Sequence, residues 1–184
     1  MDKFIQIIEE NDLQPGDIKS ITHQPHPVCQ FEYETRNKLI TEDDYAFHGG
    51  YLLACAAHRI NPARWHDTEV KEDPGIRKFM QRVEFKIVIN EKKYKSLALE
   101  HPDAIPMAVE VVAGGQVFKE ENVYVKGTWR PEEFRNSDEE LIEKFSHNSS
   151  RVLSPDKIER VSHTILLELD TLEDIAEVME ILSP

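Results

Sequence analysis

The sequence predicts an α+β fold, a two-layer sandwich in which helices pack on one face of a mostly antiparallel sheet. Two observations carry this prediction. Segments with strand alternation lie in the middle of the chain, and Gly114-Gly115 between two of them is a hairpin signal. Segments with helical spacing surround them. The length of 184 residues predicts a single domain over 1–184, with a lead-in helix in 1–16 and helices in 137–184.

Local spacing and turn residues predict the order of the elements. The first half should contain a helix over 3–10, a strand over 18–22 and a long loop over 23–38 that could include a section of β-ladder. A helix through 51–58 and a helix that opens at Asp73-Pro74 should follow. The second half should contain strands over 83–89, 107–112 and 116–125, then three closing helices that open at Ser137, Ser154-Pro155 and Thr171.

Capping residues and apolar stretches support the helices. Thr41 with Asp44, and Ser137 with Glu140, have the spacing of a capping box. The helix through 51–58 is almost wholly apolar at its centre, so we expect it to be buried. The expected core face of the first closing helix is Leu141, Ile142, Phe145, Val152 and Leu153.

Composition excludes several classes of protein. A formal net charge of −13 argues against general binding to nucleic acid, because the protein would repel phosphate backbones. No apolar run approaches the roughly 18 residues of a membrane span, and the first residues do not resemble a signal peptide. The two cysteines, Cys29 and Cys55, are far apart, which favours a reduced, cytoplasmic setting with both as packing residues.

Four segments resemble one family, in the family's order. They are Leu13-Gln-Pro-Gly-Asp-Ile-Lys-Ser-Ile21, the stretch from Thr41 to Tyr51, the stretch from Asp73 to Val83, and Asn136-Ser-Asp-Glu-Glu-Leu-Ile-Glu-Lys-Phe145. Together they are similar to the C-terminal domain of the MmgE/PrpD family, the family of 2-methylcitrate dehydratase. The chain departs from the family at His48-Gly49-Gly50, where Ser-Leu-Pro is usual before the tyrosine.

The resemblance implies an enzyme design with two domains. Members of the family include hydro-lyases, an epimerase and a decarboxylase, which abstract a proton next to a carboxylate of a small di- or tricarboxylate without a metal or organic cofactor. The helical N-terminal domain supplies most of the catalytic groups and the C-terminal domain closes the cleft. The implied partner is therefore a protein like that helical domain, or a second copy of this chain, with a small carboxylate as ligand.

Most of the candidate site residues lie between positions 48 and 51. Tyr51 matches the family's cleft tyrosine, and its hydroxyl could donate to a carboxylate or serve in acid/base catalysis beside His48. Gly49, Gly50 and Arg130 are predicted to bind substrate, since glycines permit close approach and arginine clamps carboxylates in bidentate fashion. Arg59 and Arg64 are weaker candidates that could form surface salt bridges instead.

Five of the eight histidines fall within a short stretch, His23, His26, His48, His58 and His66, yet none has the spacing of a helical zinc motif. We therefore predict no metal site, and the resemblance implies no cofactor.

Three functions remain open at this point. The chain could be a subunit of a split enzyme, with a separate protein as the helical domain. It could be a non-catalytic interaction or regulatory module that keeps the fold. It could also be a small independent enzyme with His48 and Tyr51 as an acid/base pair. The first is favoured, because the resemblance covers one family domain and none of the other.

Overall fold

A computed structural model describes residues 1–25, 39, 41–86, 96–97, 99–101, 104–128 and 131–183. The chain divides into two compact units, Met1–Phe134 and Arg135–Pro184. A single domain over 1–184 stays a prediction. Within the described residues, no helix is both long enough and apolar enough to cross a bilayer.

Among the described residues, the first unit contains a four-stranded sheet in the order β2-β1-β3-β4. The strands are β1 (Ile18–Gln24), β2 (Val83–Phe85), β3 (Met107–Ala113) and β4 (Gln116–Asn122). Strands β1 and β2 are parallel, and the other two pairs are antiparallel. The predicted mostly antiparallel sheet is therefore confirmed. Strand β1 extends through His23 and Gln24, within the stretch predicted as a long loop that could include a section of β-ladder. Residues 26–38 of that stretch lie outside the described residues. The part of the predicted strand at 87–89 lies outside the described residues.

The predicted hairpin joins β3 to β4. Gly114 and Gly115 have φ angles of +57° and +79°, and Ala113 pairs with Gln116 across the turn. Positive φ at both central residues is typical of the two-residue hairpin turns that match the twist of a sheet, and glycine adopts it without strain.

In the described part of the first unit, the helices are α1 (Asp2–Glu10), α2 (Glu42–Phe47), α3 (Gly49–Ala57), α4 (Thr68–Glu72) and α5 (Pro74–Met80). Short 3₁₀ turns occupy Pro62–Arg64 and Glu132–Phe134. Asp73 caps α5 by accepting from the backbone of Gly75 and Ile76 at 2.6 and 3.0 Å, as its Asp-Pro opening predicts.

One apolar core joins these helices to the sheet. Phe4 and Ile8 of α1 and Ile21 and Val111 of the sheet are each at most 2% exposed. Alternation along β1 and β3 turns polar residues such as Glu110 to the other face. The predicted layering of helices on a sheet is thus confirmed.

Helix α3 is the most buried helix of this core. Leu53 and the four residues after it through Ala57 are all buried, as predicted. Burial raises the pKa of the Cys55 thiol to about 11, which keeps the sulfur protonated in a packing role. Cys29 lies outside the described residues.

Helices α1 and α3 end in the same way. Asp12 and Arg59 follow the two helices with φ angles of 46° and 53°. The backbone N–H groups of Leu13 and Ile60 reach back to carbonyls five residues earlier, which is the pattern of a Schellman motif. The Arg59 guanidinium also contacts the Asp12 carboxylate at 3.1 Å, so the two helix ends are linked.

The second unit contains α6 (Asp138–Ser149), α7 (Pro155–His163) and α8 (Ala176–Leu182). A π-helical turn, Thr164–Glu168, and a 3₁₀ turn, Leu169–Thr171, follow α7. The capping box of Ser137 with Glu140 and the Ser154-Pro155 opening are confirmed. The prediction that the last helix opens at Thr171 was wrong. The helix starts at Ala176, whose backbone N–H donates to the Asp174 carboxylate.

The predicted core face of α6 is also largely wrong. Leu153 is buried, but Leu141, Ile142 and Val152 are 41%, 37% and 70% exposed. Helical spacing identifies an apolar face, and it does not tell whether a neighbouring element covers that face. The buried apolar residues of this unit lie mainly on the other two helices, at Ile158, Val161, Val178 and Ile181.

Candidate functional site

The candidate site lies where α2 meets α3. Thr41 Oγ1 accepts from the Asp44 backbone at 3.2 Å, and Asp44 Oδ2 accepts from the Thr41 backbone at 2.7 Å. The predicted capping box is confirmed. The helix it opens stops at Phe47, however, and a new helix begins at Gly49. The sequence predicted one continuous helix here.

His48 occupies the break and caps both helices. Its backbone is extended, with φ −85° and ψ 98°, and its N–H donates to the Tyr45 carbonyl at the end of α2. Its Nδ1 accepts from the Tyr51 backbone N–H at 3.0 Å at the start of α3. Gly49 and Gly50 are therefore the first two residues of a helix. Glycine in the interior of a helix costs roughly 1 kcal/mol, and at the start of a helix this penalty does not apply in full.

The cap also assigns the tautomer of His48. Because Nδ1 accepts a hydrogen bond, the neutral ring carries its proton on Nε2. A base role at Nε2 would move that proton to Nδ1 and break the cap. A cationic ring would also face the positive end of the α3 dipole. The geometry thus suits donation from Nε2 better than abstraction of a proton.

Gly50 explains how the imidazole fits against the helix. A Cβ atom at this position would lie 3.1 Å from His48 Cε1 and 3.3 Å from His48 Nδ1. The close approach that two glycines indicated is therefore made, at least at Gly50, by the chain's own histidine ring. Substrate binding by Gly49 and Gly50 stays a prediction.

We expect Gly50→Ala to disturb the His48 cap. The alanine methyl should push the ring away and remove a hydrogen bond that stabilises a helix start by about 1 kcal/mol. In a His48→Ala background the same change should stabilise the helix by up to about 1 kcal/mol. A double-mutant cycle from urea unfolding measures this coupling. Gly16→Ala is the control, since an added Cβ there meets nothing within 4 Å. Additive effects at Gly50 and His48 would contradict the model of the cap.

Tyr51 lies in the core. Its side chain is 1% exposed, and its hydroxyl donates to the Trp65 backbone carbonyl. The ring meets Tyr45 edge to face, with centroids 5.0 Å apart. Burial raises the pKa of the Tyr51 hydroxyl, and the neighbouring Cys55 thiol raises it further. The hydroxyl therefore remains a protonated donor, held by the backbone. Catalysis by Tyr51 stays a prediction.

The structure brings His48 and Tyr51 together through the backbone. The His48 imidazole accepts from the Tyr51 backbone N–H, and the Tyr51 hydroxyl donates to the Trp65 carbonyl instead. Direct proton exchange between the two side chains is not the arrangement seen. The sequence could place both residues near one helix start, but it could not show this separation.

The arginine candidates have different outcomes. Arg59 contacts Asp12, and Arg64 contacts Asp67, both at 3.1 Å. These are surface salt bridges of the kind that contribute little to stability. Arg130 lies outside the described residues, so its predicted substrate binding stays a prediction.

The sequence did not predict a charged cluster at the start of α2. Lys71 Nζ lies 2.5 Å from Glu42 Oε1 and 5.5 Å from the centre of the Tyr45 ring. His66 Nδ1 lies 3.4 Å from the other Glu42 oxygen. The hydrogen bond from Lys71 is the main cause of a lowered pKa of the Glu42 carboxyl. These partners are distant in sequence, so no local pattern could have revealed them.

Within the described residues, no three His, Cys, Asp or Glu side chains are grouped so that they could hold a metal ion. His23 lies in the sheet, and His58 contacts the Phe79 ring edge to face. His26 lies outside the described residues. The absence of a metal in the functional protein stays a prediction.

Comparison with known proteins gives one family. The sequence model of the MmgE/PrpD C-terminal domain matches residues 1–168. A search of curated proteins gave no match. The match covers most of the chain and agrees with the four segments that carry the resemblance and with the α+β fold. The chain therefore belongs to the MmgE/PrpD family, as a C-terminal domain.

Proposed function

We propose that this chain completes the active site of an MmgE/PrpD-type hydro-lyase or isomerase that acts on a small di- or tricarboxylate. A protein like the family's helical N-terminal domain supplies the remaining catalytic groups, and the complex works in the cytoplasm without a metal or organic cofactor. The observation that carries the proposal is the family match to the C-terminal domain.

The geometry of His48 supports a specific role. Proton abstraction next to a carboxylate places negative charge on oxygen in the transition state. A neutral imidazole with its proton on Nε2 can donate to that oxygen, and its position is fixed by the Tyr51 backbone. The base then comes from the partner protein. Tyr51 acts by holding α3 against the Trp65 segment.

A non-catalytic interaction module is the second candidate. The observation that favours it is the bond between the Tyr51 hydroxyl and a backbone carbonyl, which gives this residue a structural task. Calorimetry separates the two proposals. Under the module reading, titration of citrate-like and succinate-like acids into the chain with its partner gives no heat of binding.

The independent enzyme is the least supported of the three. It needs the His48 imidazole and the Tyr51 hydroxyl as an acid/base pair, and that hydroxyl is bonded inside the core. Unchanged activity in a His48→Ala variant would remove this possibility.

The main test is reconstitution. The purified chain is mixed with a helical-domain protein of the family, and native mass and dehydratase activity are measured. We expect a complex, and activity that falls about 10²-fold with His48→Ala, the usual effect of losing one oxyanion donor. His147→Ala is the matched control, since its ring is 46% exposed in the second unit. A chain that stays monomeric in every mixture and adds no activity would overturn the proposal.

A further inference from the structure

An apolar groove of about 620 Å³ runs along the second unit between α6 and α7. One stripe of each helix forms it, because residues four apart share a helix face. Its walls include Ile142, Ser146, Ile158, Ser162, Leu166 and Leu167. We call this feature the α6–α7 groove.

Some apolar side chains of the groove are more exposed to solvent than apolar side chains usually are. Ile142 is 37% exposed and Leu167 is 70% exposed, while Ile158 is buried beneath them. Helix α6 buries only Ser149 fully, although Leu141 and Phe145 give it an apolar face. Contiguous exposed apolar surface of this kind marks interaction sites.

A π-helical turn shapes one end of the groove. Thr164–Glu168 continues α7 with the wider π spacing, and the consecutive residues Leu166 and Leu167 both line the groove within it. Single π turns within helices are frequent at functional sites. The π turn thus places two leucines where they can contact the apolar residues of a bound helix.

The charge around the groove indicates which kind of partner it can bind. The carboxylates of Asp138 and Glu159 are on its walls, and no lysine or arginine is. Across residues 135–184, acidic side chains outnumber basic ones. A second copy of this acidic surface would be repelled, whereas a guest with basic residues beside its apolar stripe would be attracted.

We propose that the α6–α7 groove binds an amphipathic helix of a partner protein, with apolar residues at helical spacing and lysine or arginine at its flanks. Such a helix lays its apolar stripe into a groove between two helices, as other helix-in-groove interfaces do. The inference does not rest on the proposed enzyme activity, since peptide binding is measured without substrate or catalysis.

The test is fluorescence anisotropy of the full chain with a labelled peptide of about four helical turns, with leucines at i, i+4 and i+7 and lysines beside them. We expect micromolar affinity that weakens as salt is raised. A peptide with glutamate in place of lysine, and one with the leucines scrambled, should each bind at least about tenfold more weakly.

Two variants locate the binding surface. Leu167→Glu should weaken binding of the basic peptide at least about tenfold. Met179→Glu is the matched control, because Met179 is an exposed apolar residue of α8, 62% exposed, that does not line the groove. Circular dichroism confirms that both variants fold. Absence of binding, equal binding of the glutamate peptide, or equal affinity of the two variants would overturn the proposal. So would a homodimer that Leu167→Glu dissociates, since the occupant would then be a second copy.

Discussion

Replacement of Tyr51 by alanine is expected to lower the free energy of unfolding by about 3–5 kcal/mol, the usual cost of emptying a buried aromatic site. The side chain is 1% exposed and packs against Tyr45 at 5.0 Å between ring centres. The loss also leaves the Trp65 carbonyl without its donor. Urea unfolding followed by circular dichroism measures the effect, and a change below about 1 kcal/mol would contradict the core position.

Tyr51→Phe separates the hydroxyl from the ring. We expect a loss of about 1–2 kcal/mol, because a partly buried carbonyl loses a hydrogen bond while the packing remains. Tyr45→Phe is the matched control, since its hydroxyl has only a 3.4 Å contact with the exposed Arg77. A Tyr51→Phe variant of the reconstituted enzyme with unchanged stability but abolished turnover would instead assign Tyr51 to catalysis.

Stability is expected to fall as pH decreases from about 6.5 towards 4, with His23 as a main cause. Burial, and to a smaller extent the charge of the Met1 amino group, lowers the pKa of His23 from 6.5 to about 4. The unfolded chain binds a proton near pH 6.5 and the folded chain only near pH 4, so protonation between these values favours unfolding. At 1.36 kcal/mol per pKa unit, the loss approaches roughly 3 kcal/mol.

The His23 contribution is measured as a difference between two pH series of urea unfolding. The free energy of unfolding of the wild type minus that of His23→Leu should decrease as the pH falls through this window. This holds whatever effect the leucine has on packing, because that effect does not change with pH. His163→Gln, which removes an exposed ring, is the control and should keep the wild-type slope. A His23→Leu variant with the wild-type slope would assign the acid sensitivity to carboxylates.

Features set by a few adjacent residues could be predicted from the sequence. Thr41 and Ser137 cap helices because their hydroxyls reach a backbone N–H three residues away. Gly114-Gly115 makes a hairpin because glycine accepts positive φ. Each of these outcomes depends on the local chain alone, so the pattern carries the required information.

Features that depend on distant partners could not be predicted. The break at His48 is a local exception: its Nδ1 accepts from the Tyr51 backbone N–H three residues later, and histidine is not among the usual helix-capping residues. The Tyr51 hydroxyl meets the carbonyl of Trp65 beyond the end of its own helix. Ile142 has the spacing of a core residue and remains exposed, because spacing says nothing about what covers a helix.

The position of β1 has a consequence for synthesis of the protein. This strand is the first in the sequence, yet it lies inside the sheet, between β2 and β3. On the ribosome it emerges well before the residues of β3, so Ile18 and Ile21 lack some of their final contacts during this time. The β3–β4 hairpin can close within about 1–10 μs once it is made. Strand β1 therefore stays without its β3 neighbour until β3 has been translated. During this interval chaperones would bind the exposed apolar strand.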